Sequence, residues 1–322
     1  MSKQSKNYSR REFTQLSALG MASVPLMSFQ SGLTNSLSKS PEKLSVHLFS
    51  KHLQFLDYND MSAAAAAMGF DGLDLTVRPK GHVLPENVVT DLPKAVAAMQ
   101  KHALAVKMMT TNVWDANDSV QKKVLKTASS LGITHYRTDW LKYPEDTPIQ
   151  ESQALYGLQA KELEELNKTL GLIGGYQNHA GKHVGAPVWD LLPIFEATQG
   201  KHIGCQYDIR HAVVEGGESW ELGLERILPY INSIVIKDFK WGIVDGKWKI
   251  INVPLGEGMV NFSRYFYLLK KYQINVPVSL HVEHELGGAE KGRSKLTISE
   301  QEVISRIQKD LDYLRAMWEK TV

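Results

Sequence analysis

The chain has 322 residues, 43% hydrophobic and 22% charged, the make-up of a globular protein with room for one large domain or two small ones. A formal net charge of +2 gives no basic face for nucleic acid and no attraction to an anionic membrane. Cys205 is the sole cysteine, which excludes an intrachain disulfide and a cysteine-based zinc site. Its apolar strand setting predicts a buried structural thiol.

The N-terminus reads as an export segment. Ser9-Arg10-Arg11-Glu12-Phe13 precedes an uncharged apolar stretch from Leu16 to Leu26, too short to span a bilayer. The paired arginines resemble a twin-arginine signal, which predicts a periplasmic protein carried across folded, with no stable membrane insertion. The Ser/Thr/Asn-rich run from Ser28 to Ser40 reads as a spacer. Residues 1–41 are therefore expected to be signal and spacer, and residues 42–322 the folded domain.

From Glu42 onward strand and helix alternate. The predicted strands are Leu44–Phe49, Gly72–Arg78, Ala103–Thr110, Thr134–Asp139, Leu172–Gln177, His202–Asp208, Ser233–Lys237 and Pro277–Glu283. Helices are expected over Ser62–Met68 (stopped by Gly69), Leu92–His102, a stretch capped by Asp118 or Ser119 and ended by Gly132, and Ser152–Leu170. Further helices are expected over Trp189–Thr198, Trp220–Leu228 and Phe262–Tyr272. The last opens with the capping box Ser299-Glu-Gln-Glu302 and runs to about Glu319. Asp245-Gly246, between two short runs carrying Trp241 and Trp248, is a hairpin signal inside the insertion after the seventh strand.

Eight βα units in about 280 residues predict an α/β fold, a single-domain (β/α)8 TIM barrel. A doubly wound open sheet is the competing architecture, but no Gly-rich phosphate turn follows the first strand.

In a barrel, functional groups gather at the carboxyl ends of the strands. This chain concentrates polar residues there: Asp74 and Arg78, Arg137 and Asp139, Gln177 to His179, Asp208 and His211, Lys237 and Asp238, His281 and Glu283. Period-2 alternation puts His281 and Glu283 on one face and turns His284 toward the helices. Asp208 with His211 three residues on, plus the distant Glu283, can supply oxygen and nitrogen ligands to a divalent ion. Arg78, on a Pro/Gly-rich loop, reads as a clamp for substrate hydroxyl or carboxylate oxygens. Asp74, Arg137, His281 and Trp241 join it as candidate substrate contacts.

These motifs together, Gly69-Phe-Asp-Gly-Leu-Asp74, Gln177-Asn-His179, Asp208-Ile-Arg-His211, Ile236-Lys-Asp238 and Glu283, resemble the xylose-isomerase-like barrel superfamily. That group includes ketose 3-epimerases, inosose dehydratases and apurinic-site endonucleases. The resemblance implies a metal set of Glu, Asp, His and Glu on strands five to eight, as in its epimerase branch. Asp208 and Glu283 match. Gln177 stands in the place of the first Glu and Val235 in the place of the His. A glutamine ligates through its carbonyl oxygen but is no base, so the two-glutamate proton relay is broken here.

The resemblance thus implies a carbohydrate-active isomerase, epimerase or related lyase that abstracts a proton next to a carbonyl. Glu283, His211 and His179 are the candidate bases. A divalent ion on Asp208, Glu283 and Gln177, Mg²⁺ or Mn²⁺ rather than Zn²⁺, or else Lys237, is the candidate electrophile. The expected partner is an unphosphorylated or keto sugar and not nucleic acid; the oligomeric state is left open. The competing reading is a non-catalytic sugar-binding barrel with a degenerate metal site.

Overall fold

The computed structural model describes residues 43–322; the predicted signal and spacer lie outside the described residues. Short runs of β-branched and apolar residues form β1 (Val46–Phe49), β2 (Gly72–Val77), β3 (Ala105–Thr111), β4 (His135–Arg137), β5 (Ile173–Gln177), β6 (Ile203–Asp208) and β7 (Ile231–Ile236). β8 (Asp238–Val244) and β9 (Lys247–Val253) form a separate antiparallel hairpin, and β10 (Val278–Leu280) completes the main sheet. That sheet is a closed barrel in the order β1-β10-β7-β6-β5-β4-β3-β2, every pair parallel. The predicted barrel is therefore observed.

Helices return the chain between strands: α1 (Tyr58–Ala67), α2 (Val88–Lys101), α3 (Ser119–Ser130), α4 (Ile149–Leu170), α5 (Leu192–Glu196), α6 (Ile209–Gly216), α7 (Trp220–Ile227), α8 (Phe262–Lys271) and α9 (Glu300–Lys320). Their starts follow local chemistry. Asp57, Asp118 and Ser299 each accept a backbone N–H of the first turn, and Gly171 ends α4 at φ +68°. Both faces of the barrel wall are covered, so β2 and β6 are buried at every residue.

Three departures from the sequence reading have local causes. The helix expected over Trp189–Thr198 splits into a 3-10 turn, Val188–Leu191, and the short α5, whose first turn holds Pro193. The eighth barrel strand stops at Leu280, so His281 to Glu283 open the following loop. A helix not foreseen, α6, begins directly after β6 because the Asp208 side chain caps it.

The hairpin forms as its turn signal predicts: Val244 pairs with Lys247 across Asp245 and Gly246, both left-handed at φ 54° and 72°. Close approach of the barrel wall needs glycine at Gly204, where a Cβ would run into the Tyr230 carbonyl oxygen.

Candidate active site

At the carboxyl end of the barrel, the end of β6, the residue after β7 and the loop after β10 bring polar side chains to one point. The register places Asp208 beside Val235, and alternation puts Lys237 on the same face as Val235, one pleat further along. Lys237 reaches the point where the others meet. Its Nζ lies 3.1 Å from Asp208 Oδ2, 3.3 Å from Glu283 Oε2 and 2.9 Å from His211 Nε2. Lys237 is 3% exposed and Asp208 0%, while the Glu283 side chain is 22% exposed, so Glu283 is the carboxylate that meets solvent.

The neighbours fix these groups. Gln177 donates Nε2–H to Asp208 Oδ2 at 2.7 Å, and its Oε1 accepts from Arg137 Nη1 at 3.2 Å. Only one amide orientation satisfies both, because a guanidinium only donates and a carboxylate only accepts. Asp208 Oδ1 accepts the His211 N–H, the α6 cap. Asn178 clasps the Asp208 backbone on both sides, donating to its carbonyl at 3.0 Å and accepting its N–H at 2.7 Å. Asp238, the neighbour of Lys237, faces away. It accepts backbone N–H groups of Gly256, Gly258 and Val260 and shapes that loop.

His211 is crowded by donors: the Ala180 N–H and Arg210 Nη1 meet Nδ1 at 3.1 and 2.8 Å, and Lys237 faces Nε2. A neutral imidazole accepts on one side only. With Nδ1 taken up by these donors, Nε2 is the ring nitrogen that faces the Lys237 amine. Burial first, then Lys237 and Arg210, push the His211 pKa well below its usual value. His179 packs its ring 4.0 Å from that of His211 and 4.6 Å from Trp140. Its Nδ1–H donates to the Ala180 carbonyl at 2.9 Å, which leaves Nε2 as the lone-pair nitrogen. Burial lowers its pKa to about 4, so it is neutral at neutral pH.

Glu283 is held by two lysines: Lys51 Nζ lies 3.3 Å from Oε1, opposite Lys237 on Oε2. Burial would raise its pKa, but Lys237, Lys51 and His281 outweigh that and hold it well below the usual carboxylate range. With a lysine on each oxygen, this carboxylate serves as an anchor for the two amines. Asp208 is pushed the other way by complete burial, against the pull of Lys237 and Arg210.

The remaining predicted residues surround this core. His281 is buried, stacks on Phe49 at 4.1 Å and leaves both ring nitrogens unbonded, with Nδ1 3.8 Å from Glu283 Oε1. Arg137 lies 4.3 Å over the Trp140 ring, and Arg78 lies 5.9 Å over Phe49. The Nε of each guanidinium is buried and unbonded. Asp74 binds Thr110 at 2.9 Å and Ser279 at 2.6 Å, bracing β2 against β3 and β10 inside the barrel. Trp241 sits on the hairpin, 41% exposed, against Phe239 and Met259.

Sequence reasoning passed over Phe49 and Lys51, although both stand at the carboxyl end of β1. It also passed over Arg210, whose Nη2 donates to Asn252 of β9 at 2.6 Å and ties the hairpin to the site. For Phe49 and Lys51 the signal available was position alone; Arg210 lies inside the Asp208-Ile-Arg-His211 motif, which does not show its link to the hairpin.

The predicted metal ligands Asp208, Glu283 and Gln177 do converge, but a divalent ion does not fit among them as they stand. The Lys237 amine occupies the point between the two carboxylates, and the Gln177 oxygen is engaged by Arg137. Among the described residues no group of three or more His, Cys, Asp or Glu side chains is placed to hold a metal ion. Nor is any helix among them long and apolar enough to cross a membrane.

A closed parallel eight-stranded barrel with its reactive groups at the carboxyl end defines the class as a TIM barrel. Residues 62–316 match the xylose isomerase-like TIM barrel family, and the chain belongs to it. No curated protein sequence matches the chain. Among solved structures, a xylose isomerase-like TIM barrel protein from Mycobacterium smegmatis in complex with magnesium is similar at 15% identity and TM-score 0.61, covering 87% of this chain and 98% of its own. The D-allulose 3-epimerase from Methylomonas sp. in complex with D-allulose is similar at 13% identity and TM-score 0.62, covering 87% and 99%. The probable 3-DHS dehydratase of petrobactin synthesis from Bacillus anthracis is similar at 12% identity and TM-score 0.57, covering 84% and 99%. At these identities the likeness is one of fold.

Proposed function

We propose that this protein is a carbohydrate isomerase or epimerase, or a closely related lyase, that moves a proton next to a carbonyl of an unphosphorylated or keto sugar. The carrying observation is the pairing of a neutral imidazole, His179, whose Nε2 carries a free lone pair, with the Lys237–His211 pair beside it. Enolisation needs a base at carbon and a positive group at the carbonyl oxygen. His179 supplies the first and the cationic wall of Lys237, Lys51 and Arg137 the second. The His179 imidazolium then returns the proton to the enediolate, while His211 holds the Lys237 amine in place. Glu283 keeps the lysines in place and is not the base, because two lysines hold its charge.

The aromatic faces of Phe49 and Trp140 and the unbonded Nε groups of Arg78 and Arg137 suit a ring rich in hydroxyls. The family, and a 3-epimerase that binds D-allulose among its structural neighbours, support a sugar as the ligand. Export by the twin-arginine route belongs to the same proposal, and it favours a substrate without phosphate.

One observation favours the non-catalytic alternative. Gln177 replaces the family's second base, and its amide is locked between Arg137 and Asp208. A panel of ketohexoses and keto-glycosides, incubated with wild type and His179→Gln and resolved by chromatography, tests the reading. Conversion by wild type and a loss of roughly 10²–10⁴ in the variant are expected. Saturable sugar binding with no conversion of any panel member would instead make the protein a binding barrel.

A further inference from the structure

We infer that Lys237 is the resident cation of this site, standing where a divalent metal would sit, so that the protein works without one. Three observations carry this. The Lys237 Nζ lies within 3.3 Å of both converging carboxylates, Asp208 and Glu283, and 2.9 Å from His211, the position an ion shared by these groups would take. Each remaining donor is engaged elsewhere. The Gln177 oxygen faces Arg137, the His211 Nδ1 faces Ala180 and Arg210, and the strand-seven residue beside Asp208 is the apolar Val235.

The third observation is the charge count. Two carboxylates, Asp208 and Glu283, are met by two lysines, Lys237 and Lys51. Arg137 and Arg210 stand beside these four groups, so a doubly charged ion would add to an existing positive excess in a site where Asp208 and Lys237 are almost wholly shielded from water. Burying uncompensated charge is costly, so ion entry requires that the lysine leave.

Where the resemblance implies a histidine on strand seven this chain has Val235, and Lys237, on the same face one pleat on, reaches the point between the two carboxylates. An ammonium is a weaker electrophile than a divalent ion, but it donates hydrogen bonds and protons, which a metal does not. If the sugar reading of the previous section holds, this amine faces the carbonyl oxygen and steadies the oxyanion. The inference about the ion itself does not depend on that reading, because ion binding is measured without substrate.

The test is calorimetric titration of the chelator-treated protein with Mn²⁺ and with Mg²⁺, for wild type, Lys237→Ala and Lys237→Ala/Asp208→Asn, each first checked for fold by circular dichroism. Wild type should show no stoichiometric site. Lys237→Ala, with Asp208, Glu283 and His211 freed, should bind Mn²⁺ at least tenfold more tightly than wild type, and the double variant should lose that gain. One Mn²⁺ per wild-type chain, abolished by Asp208→Asn, would overturn the inference. So would a folded Lys237→Ala that gains no affinity. If Lys237→Ala does not fold, the wild-type titration decides alone: no site upholds the inference and a stoichiometric one sinks it.

Discussion

Removing the Lys237 amine while keeping its bulk, as in Lys237→Met, leaves Asp208 without its cation at 0% exposure. Breaking a buried ion pair from one side costs about 3–5 kcal/mol, because the remaining charge is stranded. Two features of the site place this variant at the lower end. Glu283 keeps Lys51 at 3.3 Å and has partial access to water, so it is not stranded. Asp208 keeps the Gln177 Nε2–H at 2.7 Å and the His211 N–H at 3.1 Å. The expected loss is therefore about 3 kcal/mol. At ~2–4 °C per kcal/mol for a domain of this size, Tm should fall by roughly 6–12 °C. Adding Asp208→Asn removes the stranded charge and should restore about 2 kcal/mol of that loss. Urea unfolding at neutral pH with chelator present, followed by circular dichroism, measures all three proteins. A single variant within about 0.5 kcal/mol of wild type, or a double variant no more stable than the single, would refute the idea that this ion cluster ties the strands together.

Acidification should destabilise the fold. Burial lowers the pKa of His47, His82, His135 and His179 to about 4 and of His281 to about 3. Between those values and 6.5 the unfolded chain binds more protons than the folded one, so stability falls as pH drops through that window. A Tm that is flat from pH 6.5 to 4 would contradict the assignment of neutral buried imidazoles. Gly204→Ala should cost roughly 1–3 kcal/mol by urea unfolding, because its methyl meets the Tyr230 carbonyl oxygen; no loss would show that β6 and β7 can separate freely there. Export of an Arg10→Lys/Arg11→Lys protein, followed by cell fractionation, should fail if the arginine pair is read as such, and normal export would discard the twin-arginine proposal.

Much of the scaffold was legible because barrel strands announce themselves as short apolar runs between capped helices, and Asp118, Ser299 and Asp245-Gly246 act locally. Alternation also carried His281 and Glu283 to one side and His284 to the other, where it meets Asp310 of α9 at 3.2 Å. What stayed hidden depends on distances between strands. Nothing in Ile236-Lys-Asp238 says that the lysine fills the point between Asp208 and Glu283, since that requires the register of β6, β7 and β10 together. Gln177 looked like a ligand until Arg137 and Asp208 were seen to hold both ends of its amide. Phe49 and Lys51 were passed over because a lone aromatic and a lone lysine after a strand carry no pattern; closure of the barrel between β1 and β10 brings them to His281 and Glu283. Trp241 stands out in sequence for its aromatic ring, and the hairpin that bears it places that ring edge-on to Phe239, with its backbone N–H on Met259 Sδ.

The proposed chemistry is proton abstraction at carbon without a metal, with His179 as base and Lys237 as the positive group. Proton NMR of a converted keto sugar, recorded in deuterated buffer with chelator present, tests it most directly. Wild type should wash deuterium into the carbon next to the carbonyl, and both His179→Gln and Lys237→Met should slow that exchange by at least tenfold. Turnover without deuterium at carbon, or exchange that stops in chelator and returns only with Mn²⁺ or Mg²⁺, would contradict it.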